Sequence, residues 1–245
     1  MLLALILPFA GAAQPDAGKS IKVIEIKGHI GPGLVQKLRS VLEDTDHERF
    51  PAGALLLIDS VGGDGLAAIE IGRMARAARA HVFVRGRCAS ACVFVLAGGV
   101  VRGSATGHAI AIHRPRLTTF VKGIGVVDID PASNPDAARA LEAGNRRTEE
   151  FLREMGLPDA LFQAMMAVPS NQTKFLNEAE LVEFGLLGFD HQYREARAPE
   201  AASHYKVSEE EFVRRTMLVH RKCVDGYATT RVLVRCYRRV LQTGE

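Results

Sequence analysis

The 245-residue chain contains no tryptophan, and aromatic residues make up only 6% of it. So few large rings weaken any reading as a carbohydrate platform or a base-stacking surface. Charge of neither sign dominates. Lys and Arg number 31 and Asp and Glu 28, a formal charge of +3. Nothing in that balance calls for nucleic acid as a partner. Four cysteines are too few to act as a disulfide scaffold for a chain of this length. The phosphate-loop pattern GxxxxGK(S/T) is absent, as are HExxH and a calcium-loop pattern. His29, His81, His108 and His191 have no metal-ligand spacing. Neither a metal nor a cofactor is expected.

What remains is an ordinary soluble composition, 47% apolar and 24% charged. A chain this long buries a substantial core without staples, as one large domain or two small ones. Disorder, collagen and a multi-span membrane protein are excluded.

Residues 1–13 read MLLALILPFAGAA and carry no charged side chain. The stretch is short for a membrane span, and its small-residue exit fits the end of a secretory signal peptide. It lacks the usual basic n-region, so a core helix is the plain alternative. Residues 1–20 are therefore expected to be a leader and lead-in, with the mature protein in the periplasm or secreted. Export would permit disulfides. Cys88 and Cys92 lie four apart and would share a helix face, while Cys223 and Cys236 flank a Gly-containing turn. The favoured pairing is 88–92 with 223–236. A hairpin closed by the second pair, and buried free thiols, both remain open.

Apolar periodicity alternates strand and helix. Strands are expected at 21–26, 54–58, 81–84 and 109–113, and helices at 34–42, 66–79 and 91–97. Residues 28–33 read as a turn. The continuous apolar run Ala54-Leu55-Leu56-Leu57-Ile58 is typical of a buried parallel strand. Residues 116–134 look like a loop or flap, followed by helices over 136–155, 158–168 and 178–184. The pattern predicts a layered α/β domain over 21–190. Residues 191–204 contain Pro199 and read as a linker. Ser208, three residues before Glu211, reads as a helix cap. Residues 212–244 hold eight Lys/Arg and one acid, Asp225. This basic tail over 191–245 would touch anionic membrane or cell-wall polymer, or be a solvated face. Val232, Val234 and Tyr237 look like strand packing positions.

Three small motifs carry chemistry. Asp59-Ser60-Val61-Gly62-Gly63 follows the buried strand, and paired glycines leave backbone N–H groups open to an oxyanion. Most such turns are only turns. Cys88-Ala89-Ser90-Ala91-Cys92 sits at a strand-to-helix junction, where Ser90 is either a helix cap or a nucleophile. His113 ends an apolar strand, where it is either a structural histidine or the base that takes the Ser90 proton. Cys88 or Cys92 with His113 would be a rival thiol nucleophile.

Taken in order, DSVGG, ASACVFVLAGG and AIHRP resemble the proteolytic subunit of Clp protease and its wider crotonase-like superfamily. The later stretch FLNEAELVEFGLLGFD, residues 175–190, echoes the same family. The exported character resembles its poorly characterised periplasmic members. The resemblance implies a crotonase-like layered β-β-α superhelix with a small basic C-terminal extension. It implies Ser90 as nucleophile, His113 as general base, and Gly62, Gly63 and the Ala91 N–H as the oxyanion region. The family's acidic triad member falls on Thr173, which has no carboxylate. Asn171 is a neighbouring candidate to orient the ring, Asp159 and Glu178 are more distant ones, and Lys122 is a rival base. The function implied is an exported serine hydrolase acting on peptide or protein, and a homo-oligomer. A weakly catalytic peptide-binding envelope protein is the alternative, and acyl-CoA chemistry a remote third.

Overall fold

The computed structural model describes residues 21–45, 52–104, 109–169, 171–227 and 229–245. The leader reading over 1–20 and His108 lie outside the described residues. Among the described residues, no helix is long and apolar enough to cross a membrane.

The chain begins with β1 (Lys22–Ile30), α1 (Pro32–Glu43), β2 (Ala54–Gly63), α2 (Gly65–Ala77), β3 (His81–Ala89) and α3 (Cys92–Ala97). Short strands β4 (Val101–Ser104) and β5 (Ala109–Ile112) follow, then a hairpin of β6 (Thr118–Val121) and β7 (Gly125–Asp128). Next come α4 (Pro135–Glu154), α5 (Asp159–Ala167), β8 (Lys174–Phe175), α6 (Glu178–Glu183) and β9 (Gly188–Phe189). Helices α7 (His191–Tyr205) and α8 (Glu209–Val219), a π-helical turn (His220–Val224) and α9 (Thr230–Thr243) complete it.

Strands β1 to β4 are parallel and adjacent in chain order, and β9 closes the edge antiparallel to β4. Alternation within the apolar runs assigns each side chain to one face. Leu56, Ile58, Val82 and Val84 pack into one core with α1 to α5. Leu55, Leu57 and Phe83 pack into a second core with Tyr193, Phe212 and Tyr237. Both faces of the sheet are covered, which is why its strands are apolar without interruption.

The feature that positions the site is a fork in β3. Its first half, His81 to Val84, pairs with β4, and its second half, Arg87 to Ala89, pairs with β5. The ladder to β2 shifts register between Ile58 and Ser60, at the same level. Gly86 lies at the fork, where a Cβ would fall 2.6 Å from the Asp59 carboxylate carbon. Asp59 Oδ1 accepts the Arg87 N–H at 3.0 Å, so a side chain holds the strand where ladder pairing changes partner.

Several expectations are corrected. Residues 28–33 are not a free turn, since β1 runs to Ile30 with an irregularity between Lys27 and His29. DSVGG belongs to β2 rather than to a turn after it. The 116–134 flap contains the β6–β7 hairpin. The 191–204 linker is helix α7, with Pro199 inside it. Asp190 caps that helix by accepting the Tyr193 N–H at 2.9 Å, and buried Tyr193, Ala198, Ala201 and Ala202 anchor it. Val232, Val234 and Tyr237 lie in α9, not in a strand, and the second cysteine pair closes a helical rather than a β-hairpin turn. Leu233, Tyr237, Val240 and Leu241 form its buried stripe, which leaves Val232 47% exposed. The 191–245 segment is therefore the cover of one sheet face. The Ser208 cap is present, with its hydroxyl accepting the Glu211 N–H.

A buried ionic cluster ties the two halves together. Arg102, 2% exposed, donates to the carbonyls of Gly99, Gly185 and Met155 at 2.9, 2.6 and 3.1 Å. Arg76 pairs with Asp190 at 2.7 Å, and Arg102 approaches the same carboxylate at 3.9 Å. Burial, with Arg76 adding to it, pushes the Arg102 guanidinium below its usual pKa, and Asp190 pulls it back. Removing the carboxylate leaves two guanidinium groups without their counter-charge. Asp190→Ala is expected to cost about 3 to 5 kcal/mol, read as a lower urea midpoint.

Candidate active site

Ser90 stands between the end of β3 and the start of α3 with φ +57°, a left-handed conformation. For a non-glycine residue that conformation costs about 1 to 2 kcal/mol, so neighbours must hold it. Three do. The Ser90 N–H donates to the Ala111 carbonyl on β5 at 3.0 Å. Cys88 and Cys92 are joined by a disulfide across it, with Cα atoms 5.2 Å apart. Gly62 lies directly beneath: a Cβ there would be 2.7 Å from the Ser90 Cβ and 2.9 Å from the Ala91 nitrogen. A left-handed residue just before a helix turns its side chain out of the sheet.

The Ser90 hydroxyl is not a helix cap. Its Oγ lies 2.7 Å from Nε2 of His113, one residue beyond β5. Nδ1 of the same ring lies 2.7 Å from the Arg114 carbonyl oxygen. A carbonyl only accepts, so Nδ1 carries the hydrogen and donates it. Nε2 is then the bare nitrogen, and the Ser90 O–H donates to it. This is the tautomer that a general base needs.

Asn171 and Thr173 are both exposed. Strand β8 pairs antiparallel with β5 through Ile112 and Lys174. Continued by one residue, that register sets Thr173 across from His113. The ring's Nδ1 nevertheless turns to the Arg114 carbonyl. Asp159 pairs with Arg153 at 3.6 Å and Glu178 with Arg221 at 3.3 Å, both at the surface. Lys122 is exposed in the turn between β6 and β7. The cysteine rivals for the nucleophile are closed: Cys88 and Cys92 are bonded to each other, and Cys223 to Cys236. Of the other histidines, His29 is exposed with its ring against Gly63, and His81 is buried in the second core.

Ser90 and His113 open into a cavity of about 580 Å³, also lined by Gly63 and Ala91. That volume lies within the usual range for small-ligand sites. Gly62 departs from the oxyanion expectation. Its N–H donates to the Ser60 hydroxyl at 3.0 Å, and that hydroxyl donates to the Gly28 carbonyl at 2.5 Å. Gly62 is required for close approach, with φ +97°, rather than as a donor. Gly63 follows at φ +147°, where a Cβ would fall 2.2 Å from the Ile30 carbonyl oxygen. Sequence reasoning missed the Arg114 carbonyl, because any residue supplies one. It also missed the wall that α4 contributes through Ala140 and Gly144. Small residues four apart on an otherwise charged helix were the available sign.

These features define a mixed α/β fold around a sheet, related to the ClpP fold, with a hydrogen-bonded Ser–His pair in a cleft. Many solved structures are similar, and two illustrate the likeness. One is a variant of ClpP1 from Listeria monocytogenes, at 17% identity and a TM-score of 0.51, covering 68% of this chain and 89% of that one. The other is a variant of the 1510-N membrane-bound stomatin-specific protease, at 17% identity and a TM-score of 0.50, covering 69% of this chain and 79% of that one. No family model and no curated protein matches the chain.

The Gly62→Ala variant tests the close approach. It is expected to lower any Ser90-dependent reaction about 100-fold by displacing the hydroxyl, with a lower melting temperature. The disulfide around Ser90 is tested separately. The Cys88→Ser/Cys92→Ser pair, which leaves Cys223–Cys236 intact, is expected to cost about 2 kcal/mol for so short a loop. Thiol titration of the unreduced, denatured protein should find none free.

Proposed function

We propose that the chain is an exported serine hydrolase, a peptidase that passes through an acyl-enzyme on Ser90. The observation that carries this is the 2.7 Å contact from Ser90 Oγ to His113 Nε2, with Nδ1 turned to a carbonyl. The Ser90 oxygen attacks the scissile carbonyl carbon, and its proton passes to Nε2. The N–H groups of Gly63 and Ala91 stand to receive the oxyanion. The imidazolium then protonates the leaving nitrogen, and the acyl group stays on Ser90. Water gives a proton to His113 as it attacks the ester carbonyl; the bond to Ser90 Oγ then breaks, His113 returns the proton to that oxygen, and the acid is released.

The Arg114 carbonyl fixes the ring and its tautomer but carries only a partial charge. It stabilises the imidazolium less than a carboxylate would. The dyad is accordingly slower than a full triad. The same feature supports the second reading, a weakly catalytic peptide-binding protein. Two disulfides favour an oxidising compartment, the periplasm or outside the cell, in keeping with the leader at residues 1–13 and with membership of the family's periplasmic branch. Exposed Arg231, Arg235, Arg238 and Arg239 on α9 give an anionic membrane or cell-wall polymer a basic face to touch. Assembly into a homo-oligomer belongs to the same reading.

A fluorophosphonate probe is expected to label the protein at Ser90, with labelling lost in Ser90→Ala and in His113→Ala. Absence of labelling from mildly acidic to mildly basic pH would favour the binding protein.

A further inference from the structure

The cavity has an apolar floor and a charged rim. Ile69, Phe94 and Met165 form the floor and are buried, each at most 5% exposed. Helix α4 forms one wall. Ala140, Gly144 and Arg147 lie four and three residues apart on it, so they share a face. The first two are small enough to leave room for a ligand main chain. The third projects a guanidinium at the rim and is exposed.

The charges around the cavity are unequal in their commitments. Arg116 lines the same space but pairs with Asp128 at 3.3 Å. Asp64 lines it beside Gly63, where its Oδ1 accepts the Ala67 N–H at 2.9 Å and caps α2. Among the described residues Arg147 has no ion-pair partner, although Glu150 lies one turn on along the same helix. An apolar floor that excludes water strengthens whatever meets a cation at its edge. The planar fork of a guanidinium matches a carboxylate in two hydrogen bonds.

We infer that Arg147 is a specificity residue of this site and binds a carboxylate carried by a peptide whose neighbouring apolar side chain fills the cavity. The inference rests on the reading of the Ser90 cleft as a peptide site. It adds a charge requirement that catalysis alone does not impose. The carboxylate comes either from an acidic side chain or from a free C-terminus.

The test uses the full chain with Ser90→Ala, so that binding is read without turnover. Four fluorescein-labelled peptides share one apolar residue. Two carry Glu or Gln beside it with an amidated end, and two carry Gln with a free or an amidated C-terminus at that place. Anisotropy should show a carboxylate peptide binding about 5- to 10-fold tighter than its neutral partner, with the margin shrinking at high salt. A preference confined to the Glu pair assigns the side chain as source, and one confined to the terminal pair assigns the C-terminus. Adding Arg147→Ala should bring the ratio to about one, and Arg147→Glu should invert it in favour of a Lys peptide. Arg147→Lys should keep part of it. Equal binding of charged and neutral peptides, or a preference that survives Arg147→Ala, would overturn the assignment. Failure of the hydrolase reading has a different signature, since it would remove probe labelling of the native protein and leave these ratios as they are.

Discussion

Everything at the candidate site depends on how closely the end of β2 approaches the turn that follows β3. Gly62 on β2 and the Ala89-Ser90-Ala91 turn after β3 meet at a separation that a single methyl group would violate, since a Cβ added at Gly62 would fall 2.7 Å from the Ala89 oxygen and from the Ser90 Cβ. That approach lets Ser90 stay in a left-handed conformation while its N–H bonds to β5. It also brings Gly63 and Ala91 to the edge of one cavity. Around this contact the chain adds constraints of different kinds. A disulfide clamps the turn from within, the Ser60 hydroxyl holds Gly62 from below, and an Asp59 carboxylate pins the strand beside it. None of these groups touches a reacting atom, yet each fixes where the hydroxyl stands.

The fork in β3 does the corresponding work for the histidine. By leaving β4 for β5, the strand sets the end of β5 beside the Ser90 turn. His113 then needs only to project from the next residue. The ring is aligned by a backbone carbonyl one peptide further on. An oriented base without a carboxylate gives correct geometry with a weaker electrostatic drive. The C-terminal helices matter here indirectly. They bury the second face of the strands that carry these turns, and Asp190 joins their first cap to the Arg76 and Arg102 cluster.

Legibility in the sequence followed the range of the interaction. Local pattern left Ser90 as cap or nucleophile and His113 as structural residue or base, and it was the resemblance of the three ordered motifs to the Clp protease family that singled the two out. The cysteine pairing was legible because four residues of spacing brings two side chains together. The Arg114 carbonyl was not legible, since a backbone acceptor has no residue code. The bond from Ser60 to Gly28 spans 32 residues, and Gly62 therefore looked like a free donor. Helix α7 was read as a linker because Pro199 counts against a helix locally. Burial of Tyr193 and three alanines outweighs that single residue. Hairpin β6–β7 was hidden by its brevity, four residues in each strand.

The sequence by itself determined the alternation of strand and helix, the apolar faces and the order of the three small motifs. These are fixed by neighbours a few residues away, where periodicity and small-residue spacing act directly. The tertiary structure decided which ladder β3 leaves, that the Gly62 N–H is taken by the Ser60 hydroxyl, what backs the imidazole and which arginine has no ion-pair partner among the described residues at the cavity rim. Those outcomes come from contacts between distant segments, and a distance of 2.7 Å across such a contact has no counterpart in the linear order of residues.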